Sequence, residues 1–169
     1  IVADLRGYGD SLVLPGGNNH KNYSKREMSK DMIQLMSKLN FKKFFVAGHD
    51  RGGRVAHRMA RDYRRKILAM SVLDICPTLD MYEQTDMKFA KGYFHWFYLI
   101  QPAPLPEKMI MVDPKRWLKS RFNRSSKLAI GRIEKEYLRA FKQKKSIHAT
   151  CEDYRAAASI DLEHDEKDR

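Results

Sequence analysis

Between residues 42 and 60 the apolar run Lys42-Lys43-Phe44-Phe45-Val46-Ala47 breaks at a glycine-framed aspartate and resumes with helical spacing through Val55, Ala56, Met59 and Ala60. The first part is short, apolar and aromatic enough for a buried strand, and the second puts its apolar residues on one helix face. Gly48 and Gly52 flank Asp50 in the pattern Gly-x-acid-x-Gly. A chain that reverses this tightly from strand to helix is strained and crowded, so glycines are expected at both positions, where a Cβ would strike the neighbouring element. Asp50 then stands at the apex of the turn. The same string also fits an ordinary left-handed turn with surface arginines.

A carboxylate displayed at such an apex is a candidate nucleophile. Its oxygen suits displacement at a saturated carbon and leaves an ester that water must then cleave. Arg51 follows at once, and Arg54 lies one helical turn later on the same side. Guanidinium forks suit a carboxylate, and each can bind one bidentately.

A coarse pass along the chain predicts a β-α-β-α-β start. Ile1-Val2-Ala3 reads as a strand, and a loop rich in Gly and Asn follows over Pro15 to Asn22. Ser24-Lys25-Arg26-Glu27 reads as a capping box, opening a helix with Met28, Met32, Leu35, Met36 and Leu39 on its packed face. After the turn at Asp50 comes a third apolar run, Ile67 to Leu73. Such alternation argues for a parallel sheet with crossover helices, whose sites lie at the carboxyl ends of strands. Asp74 ends the third run and precedes Pro77, a position suited to orienting a histidine or to a plain turn or N-cap.

From about Leu79 the strand pattern disappears. Met81 to Ile100 reads as one helix rich in aromatics, and Pro102, Pro104 and Pro106 make a stiff connection. Helical periodicity returns from Lys127 to Lys144, with Ile130, Ile133, Tyr137 and Phe141 as its buried face.

The chain has 169 residues, enough for one domain with a real core, and a formal net charge of +12. Between Lys115 and Ser146 twelve Lys or Arg stand against Glu134 and Glu136. No nucleic-acid motif accompanies this charge, so a nucleic-acid partner is not expected; steering of small anions, lost compensating acids and a solvated face remain. Cys76 and Cys151 are too few and too scattered for a disulfide framework or a zinc site, and read as free buried thiols. Neither a signal peptide nor a membrane-length apolar stretch is present, which makes no membrane partner and a cytoplasmic location the default expectations.

Several blocks together carry a resemblance. They are Ala3-Asp4-Leu5-Arg6-Gly7-Tyr8-Gly9-Asp10-Ser11, Ala47 to Arg58, Val72-Leu73-Asp74-Ile75-Cys76-Pro77-Thr78, His95-Trp96-Phe97 leading into Gln101 to Glu107, and Cys151-Glu152-Asp153-Tyr154-Arg155-Ala156. Through them the stretch from Asp4 to Asp165 resembles the haloacetate dehalogenases, a branch of the α/β-hydrolase family that includes fluoroacetate dehalogenases. The first block is shared with epoxide hydrolases. The second is more specific, because epoxide hydrolases usually have Trp after the nucleophilic Asp, where this chain has Arg51.

The resemblance implies an α/β fold: a partial α/β-hydrolase core over residues 1–80 with the nucleophile elbow, a helical cap over 81–163, and a return toward the core from 164 to 169. It implies Asp50 as nucleophile and Asp74 as triad acid. Arg51 and Arg54 would hold the carboxylate of a 2-haloacid, and His95, Trp96 and Tyr154 would receive the halide. No metal or organic cofactor is implied, and the partner is a small anionic substrate. Assembly stays open, a homodimer included.

Two departures accompany the resemblance. The family's water-activating histidine should follow a last core strand, and the chain ends before that point; His20, His57, His148 and His164 do not match its position. The upstream His-Gly loop of the oxyanion hole is also missing, so the chain reads as a fragment. Two rivals follow: an epoxide hydrolase using the same Asp50, and a non-catalytic carboxylate-binding remnant.

Overall fold

The computed structural model describes residues 1–121 and 130–169, the side chains of Ile130 and Arg132 excepted. Helix α1 (Lys25–Lys38) leads into strand β1 (Phe44–His49), helix α2 (Arg51–Asp62) and strand β2 (Ile67–Leu73). The strands pair in parallel, Phe44 with Ile67 and His49 with Leu73, with one irregularity between Phe44 and Val46. A parallel pair needs a crossover, and α2 supplies it. As the alternation predicts, this is a βαβ unit whose strands end side by side at Asp50 and Asp74.

Ser24 caps α1 by accepting the Glu27 N–H at 3.2 Å. The reciprocal half of the capping box is absent: the Ser24 N–H donates instead to Lys21 O at 3.0 Å, closing a short 3-10 segment over Asn18–Tyr23 where a loop was expected. Met28 and Ile33 are the buried apolar residues of α1, while Leu39 is exposed. They meet Tyr23, Val55 and Met59 in a first apolar cluster on one side of the sheet.

The other side of the sheet differs from the expectation of buried strands. Burial alternates along β1, with Phe45 exposed, and in β2 Leu68, Met70, Val72 and Leu73 are all exposed. A parallel sheet is buried on both faces only when layers cover both. The described residues cover one. Ile1-Val2-Ala3 forms no strand either; both Ile1 and Val2 are exposed, and among the described residues the sheet has two strands where three were expected.

The aromatic stretch expected as a single helix is three: α3 (Thr78–Glu83), α4 (Met87–Gly92) and α5 (Phe94–Leu99). Asp86 starts the second by accepting the Phe89 N–H at 2.7 Å, a cap that competes with a continuous helix. Then come α6 (Leu105–Val112), with Pro106 in its first turn, α7 (Pro114–Arg121), α8 (Ile130–Phe141), α9 (Lys144–Ala157) and α10 (Ile160–Lys167). Lys127 to Ala129, expected to open α8, lie outside the described residues. On α8, Ile133 (44 % exposed) and Tyr137 (57 %) do not form the expected buried face, Phe141 packs against the apolar cluster, and the side chain of Ile130 lies outside the described ones.

Trp96, Leu99, Ile110, Ile147, Cys151 and Tyr154 form a second apolar cluster. Helix α9 joins the two, giving Ala149 and Ala156 to the first and Ile147, Cys151 and Tyr154 to the second. Of the two thiols, Cys151 is buried as expected, and Cys76 is exposed because it sits in the turn after β2.

The glycines of the elbow divide unexpectedly. A Cβ on Gly48 would collide with the carbonyl of Gly52, and one on Gly53 would lie 3.1 Å from Gly48 O, but one on Gly52 meets nothing. The close approach is thus between Gly48 and the first turn of α2, and Gly52 is not the crowded position. Gly48→Ala is expected to destabilise the fold by about 3 kcal/mol or more, as backbone overlap cannot be relieved by rotamers, whereas Gly52→Ala gains up to about 1 kcal/mol of helix propensity. Urea unfolding of the two variants checks the contrast, and equal effects would refute it.

Candidate active site

Asp50 adopts φ 48° and ψ −117°, a region aspartate rarely enters, between the last residue of β1 and the first of α2. Strain of this kind persists only where surroundings over-determine it. Here the Asp50 N–H donates to Leu73 O at 3.3 Å, tying the apex to β2, and the Asp50 carbonyl accepts the Arg54 N–H at 3.2 Å, starting α2. The carboxylate itself caps nothing and is exposed to the cleft.

Asp74 also has positive φ, 55°, at the end of the neighbouring strand. Its side chain is 90 % exposed, and the nearest imidazole is that of His49, 3.9 Å away. Asp50 and Asp74 thus stand at adjacent strand ends, as the alternation of elements predicts. Both line one open cleft of about 1220 Å³.

Arg51 and Arg54, the first and fourth residues of α2, are both buried and both line that cleft. The Arg51 guanidinium donates through Nε and Nη2 to the two carboxylate oxygens of Asp153, each at 2.7 Å, and lies 4.2 Å over the Tyr154 ring. Its Nη1 is buried without a partner. Arg54, only 5 % exposed, donates to Cys76 O at 2.8 Å, to Thr78 Oγ1 at 3.1 Å and toward Met81 Sδ, and lies 4.6 Å over the Trp96 ring. Its Nε has no partner. No carboxylate pairs with Arg54 among the described residues, and burial together with the charge of Arg51 lowers its pKa. The expected bidentate grip by each arginine does not fit, because each already has one edge engaged.

The other site candidates form the aromatic wall of the cleft. Tyr154 meets Trp96 edge-on at 6.2 Å between centroids and His95 at 5.9 Å. The rings carrying the two arginines on their faces are therefore those expected to receive halide. Burial pushes the Tyr154 phenol up to about 12, so it remains an O–H donor. His95 Nδ1 is buried without a partner, as is the hydroxyl of Tyr82, whose ring packs 5.2 Å from that of Trp96. Three of the five orphaned buried side-chain atoms among the described residues thus belong to Arg51, Arg54 and His95, which line one cleft. Buried polar groups are normally satisfied, so such a concentration marks a place for a ligand.

Burial, then the charges of Arg121 and Arg51, lower His95 from its ordinary 6.5 to about 4. Above that value the imidazole is neutral. Between pH 6.5 and 4 the unfolded chain binds a proton that the folded one refuses, so stability falls as the pH drops through this window. A His95→Gln variant is expected to lose stability less steeply there in pH-dependent thermal melts. Parallel curves for the two proteins would refute the assignment.

Sequence reasoning did not single out Asp153, Lys25 and Tyr8. Asp153 is wholly buried; it accepts from Tyr8 OH at 2.5 Å and from Lys25 Nζ besides Arg51, and these cations hold its carboxyl well below the usual range despite its burial. The available signal was an acid beside Tyr154 within the apolar part of α9, a place where an unpaired carboxylate would be costly. Among the described residues, no group of three or more His, Cys, Asp or Glu could hold a metal ion, and no helix is long and apolar enough to cross a membrane.

Several known proteins are similar to this chain. A fluoroacetate dehalogenase from Burkholderia sp is 44% identical over 173 residues, covering 99% of this chain and 57% of the relative. A soluble epoxide hydrolase from Corynebacterium sp. (strain C12) is 40% identical over 79 residues, 47% of this chain and 26% of that relative. Among solved structures, a mutant of a provisionally assigned epoxide hydrolase from Pseudomonas aeruginosa with bound MFA is 40% identical with a TM-score of 0.93, over 99% of this chain and 57% of that one. The chain therefore spans a little over half the length of the dehalogenase relative. The family model for the alpha/beta hydrolase fold matches residues 1–166, and the chain belongs to that family.

Proposed function

We propose that the full-length protein hydrolyses the carbon–halogen bond of a 2-haloacid such as chloroacetate or fluoroacetate. One observation carries the reading: two buried arginines, one of them with no carboxylate partner, keep an unsatisfied N–H each in the cleft that displays Asp50. A small anion is the ligand such a pair demands.

In this reading the substrate carboxylate occupies the two free N–H groups. An Asp50 oxygen attacks the adjacent carbon, the carbon–halogen bond breaks, and halide leaves toward Trp96, Tyr154 and His95. The indole N–H and phenol O–H are free of other protein partners among the described residues, so both can donate as charge develops on the halogen. Water then cleaves the aspartyl ester, and Asp74, open at the neighbouring strand end, orients the histidine that activates it. The match to a fluoroacetate dehalogenase, 44% identical over 99% of this chain, supports this reading, while the soluble epoxide hydrolase, 40% identical over 47% of it, keeps epoxide chemistry as the alternative the test must separate.

The test is halide release by the full-length protein from chloroacetate and fluoroacetate, followed with ion-selective electrodes, beside diol formation from a neutral epoxide. Halide release with no diol is the expected result. Diol formation alone would transfer Asp50 to epoxide chemistry, and carboxylate binding without either product would leave a binding protein.

A further inference from the structure

The way Asp153 holds Arg51 has a consequence for how an anion is recognised. The Nε–Nη2 edge of Arg51 is fully engaged: Nε donates to Asp153 Oδ2, and Nη2 to both Oδ1 and, at 2.9 Å, the Asp153 carbonyl. A guanidinium is planar and rigid, so fixing one edge fixes the direction of the remaining nitrogen. That nitrogen, Nη1, is the one left without a partner, and the Tyr154 ring closes one face of the plane. Arg54 is held in a complementary way, with Nη1 and Nη2 engaged and Nε free.

Asp153 is itself immobilised. Tyr8 OH donates to Oδ2, Lys25 Nζ contacts Oδ1, and Lys25 is shared with Asp161, which accepts the Lys25 backbone N–H at 2.8 Å. Asp153 and Tyr154 are adjacent on α9, so one helix delivers the clamp on the arginine edge and the ring on its face.

We infer that Asp153 is a positioning residue: it turns Arg51 so that Arg51 Nη1 and Arg54 Nε together take a single carboxylate, and the preference of the cleft for an anion over a neutral isostere depends on it. The inference rests on the 2-haloacid reading of the cleft. It assigns recognition to one N–H from each arginine in place of a bidentate fork.

The test uses the full-length protein with acetate and acetamide, unreactive probes of nearly the same shape that differ in charge. Their dissociation constants are measured by NMR titration for the wild type and for Asp153→Asn. The wild type is expected to prefer acetate, and the variant to lose about tenfold or more of that preference with acetamide binding unchanged, as a charge-assisted contact loses its aim. A purely structural Asp153 would weaken both probes alike or leave their ratio intact, and either result overturns the proposal. A wild type without preference for acetate would instead remove the 2-haloacid reading beneath it. A second measurement needs no variant: in protein labelled with 15N-arginine and free of ligand, the two Nη groups of Arg51 are expected to resonate separately. One averaged signal there would mean an unclamped guanidinium, and would overturn the proposal even if Asp153→Asn fails to fold.

Discussion

In the full-length protein Asp50→Asn is expected to reduce halide release from chloroacetate by about 10⁴-fold or more, while acetate still binds. An amide nitrogen or oxygen is a far weaker nucleophile than a carboxylate, and no other unpaired acid on the elbow could replace it. The substitution is close to isosteric, and asparagine tolerates positive φ as aspartate does, so the 48° at the apex does not by itself disfavour the fold. The Asp50 carboxylate also accepts no cap hydrogen bond whose loss would loosen α2. The measurement is a chloride-electrode progress curve with acetate binding recorded on the same preparation. Turnover within tenfold of the wild type, with binding intact, would remove Asp50 as nucleophile.

The elbow was legible in the sequence because its constraints are local. Strand, glycine, acid and helix follow each other within a few residues, although the Asp50 N–H is also tied to Leu73 O on β2. Asp74 was legible for the same reason, since a run of β-formers ending at an acid before Pro77 places that acid at a strand end. The exposed second face of the sheet was not, because burial of Leu68 or Val72 depends on what other segments cover, and strand propensity carries no record of that.

The helical part was read less well. Aromatic residues between Met81 and Ile100 satisfy a helical period even across the breaks at Asp86, where a side-chain cap starts a new helix, and at Tyr93. At the site, residue types pointed to Arg51 and Arg54, but the edge Arg51 has left depends on Asp153, more than a hundred residues away, and that of Arg54 on Cys76, Thr78 and Met81. Contacts at that separation leave little trace in a local pattern. An acid inside an apolar helix is the one trace they did leave.

Arg54 offers the sharpest separation of binding from stability. Replacing it with methionine is expected to raise the KM for chloroacetate about 100-fold, the loss of a charged hydrogen bond to the substrate carboxylate. The fold should respond differently. A buried guanidinium bears a desolvation penalty that the charges of Asp50 and Asp153 offset only in part, and among the described residues its bonds go to a carbonyl, a hydroxyl and a thioether. Methionine of similar length keeps the contact with the Trp96 face and removes the charge. Stability should therefore change by less than about 1 kcal/mol, or rise, whereas breaking a paired buried ion costs about 3–5 kcal/mol. Urea titration of the unliganded variant beside its steady-state kinetics decides between the two. A loss near the larger figure would mean that Arg54 holds the fold together, and the unpaired cation in the cleft would no longer argue for an anionic substrate. A variant that folds as well as the parent yet no longer captures the acid would show that the chain keeps a destabilising charge for the sake of its ligand.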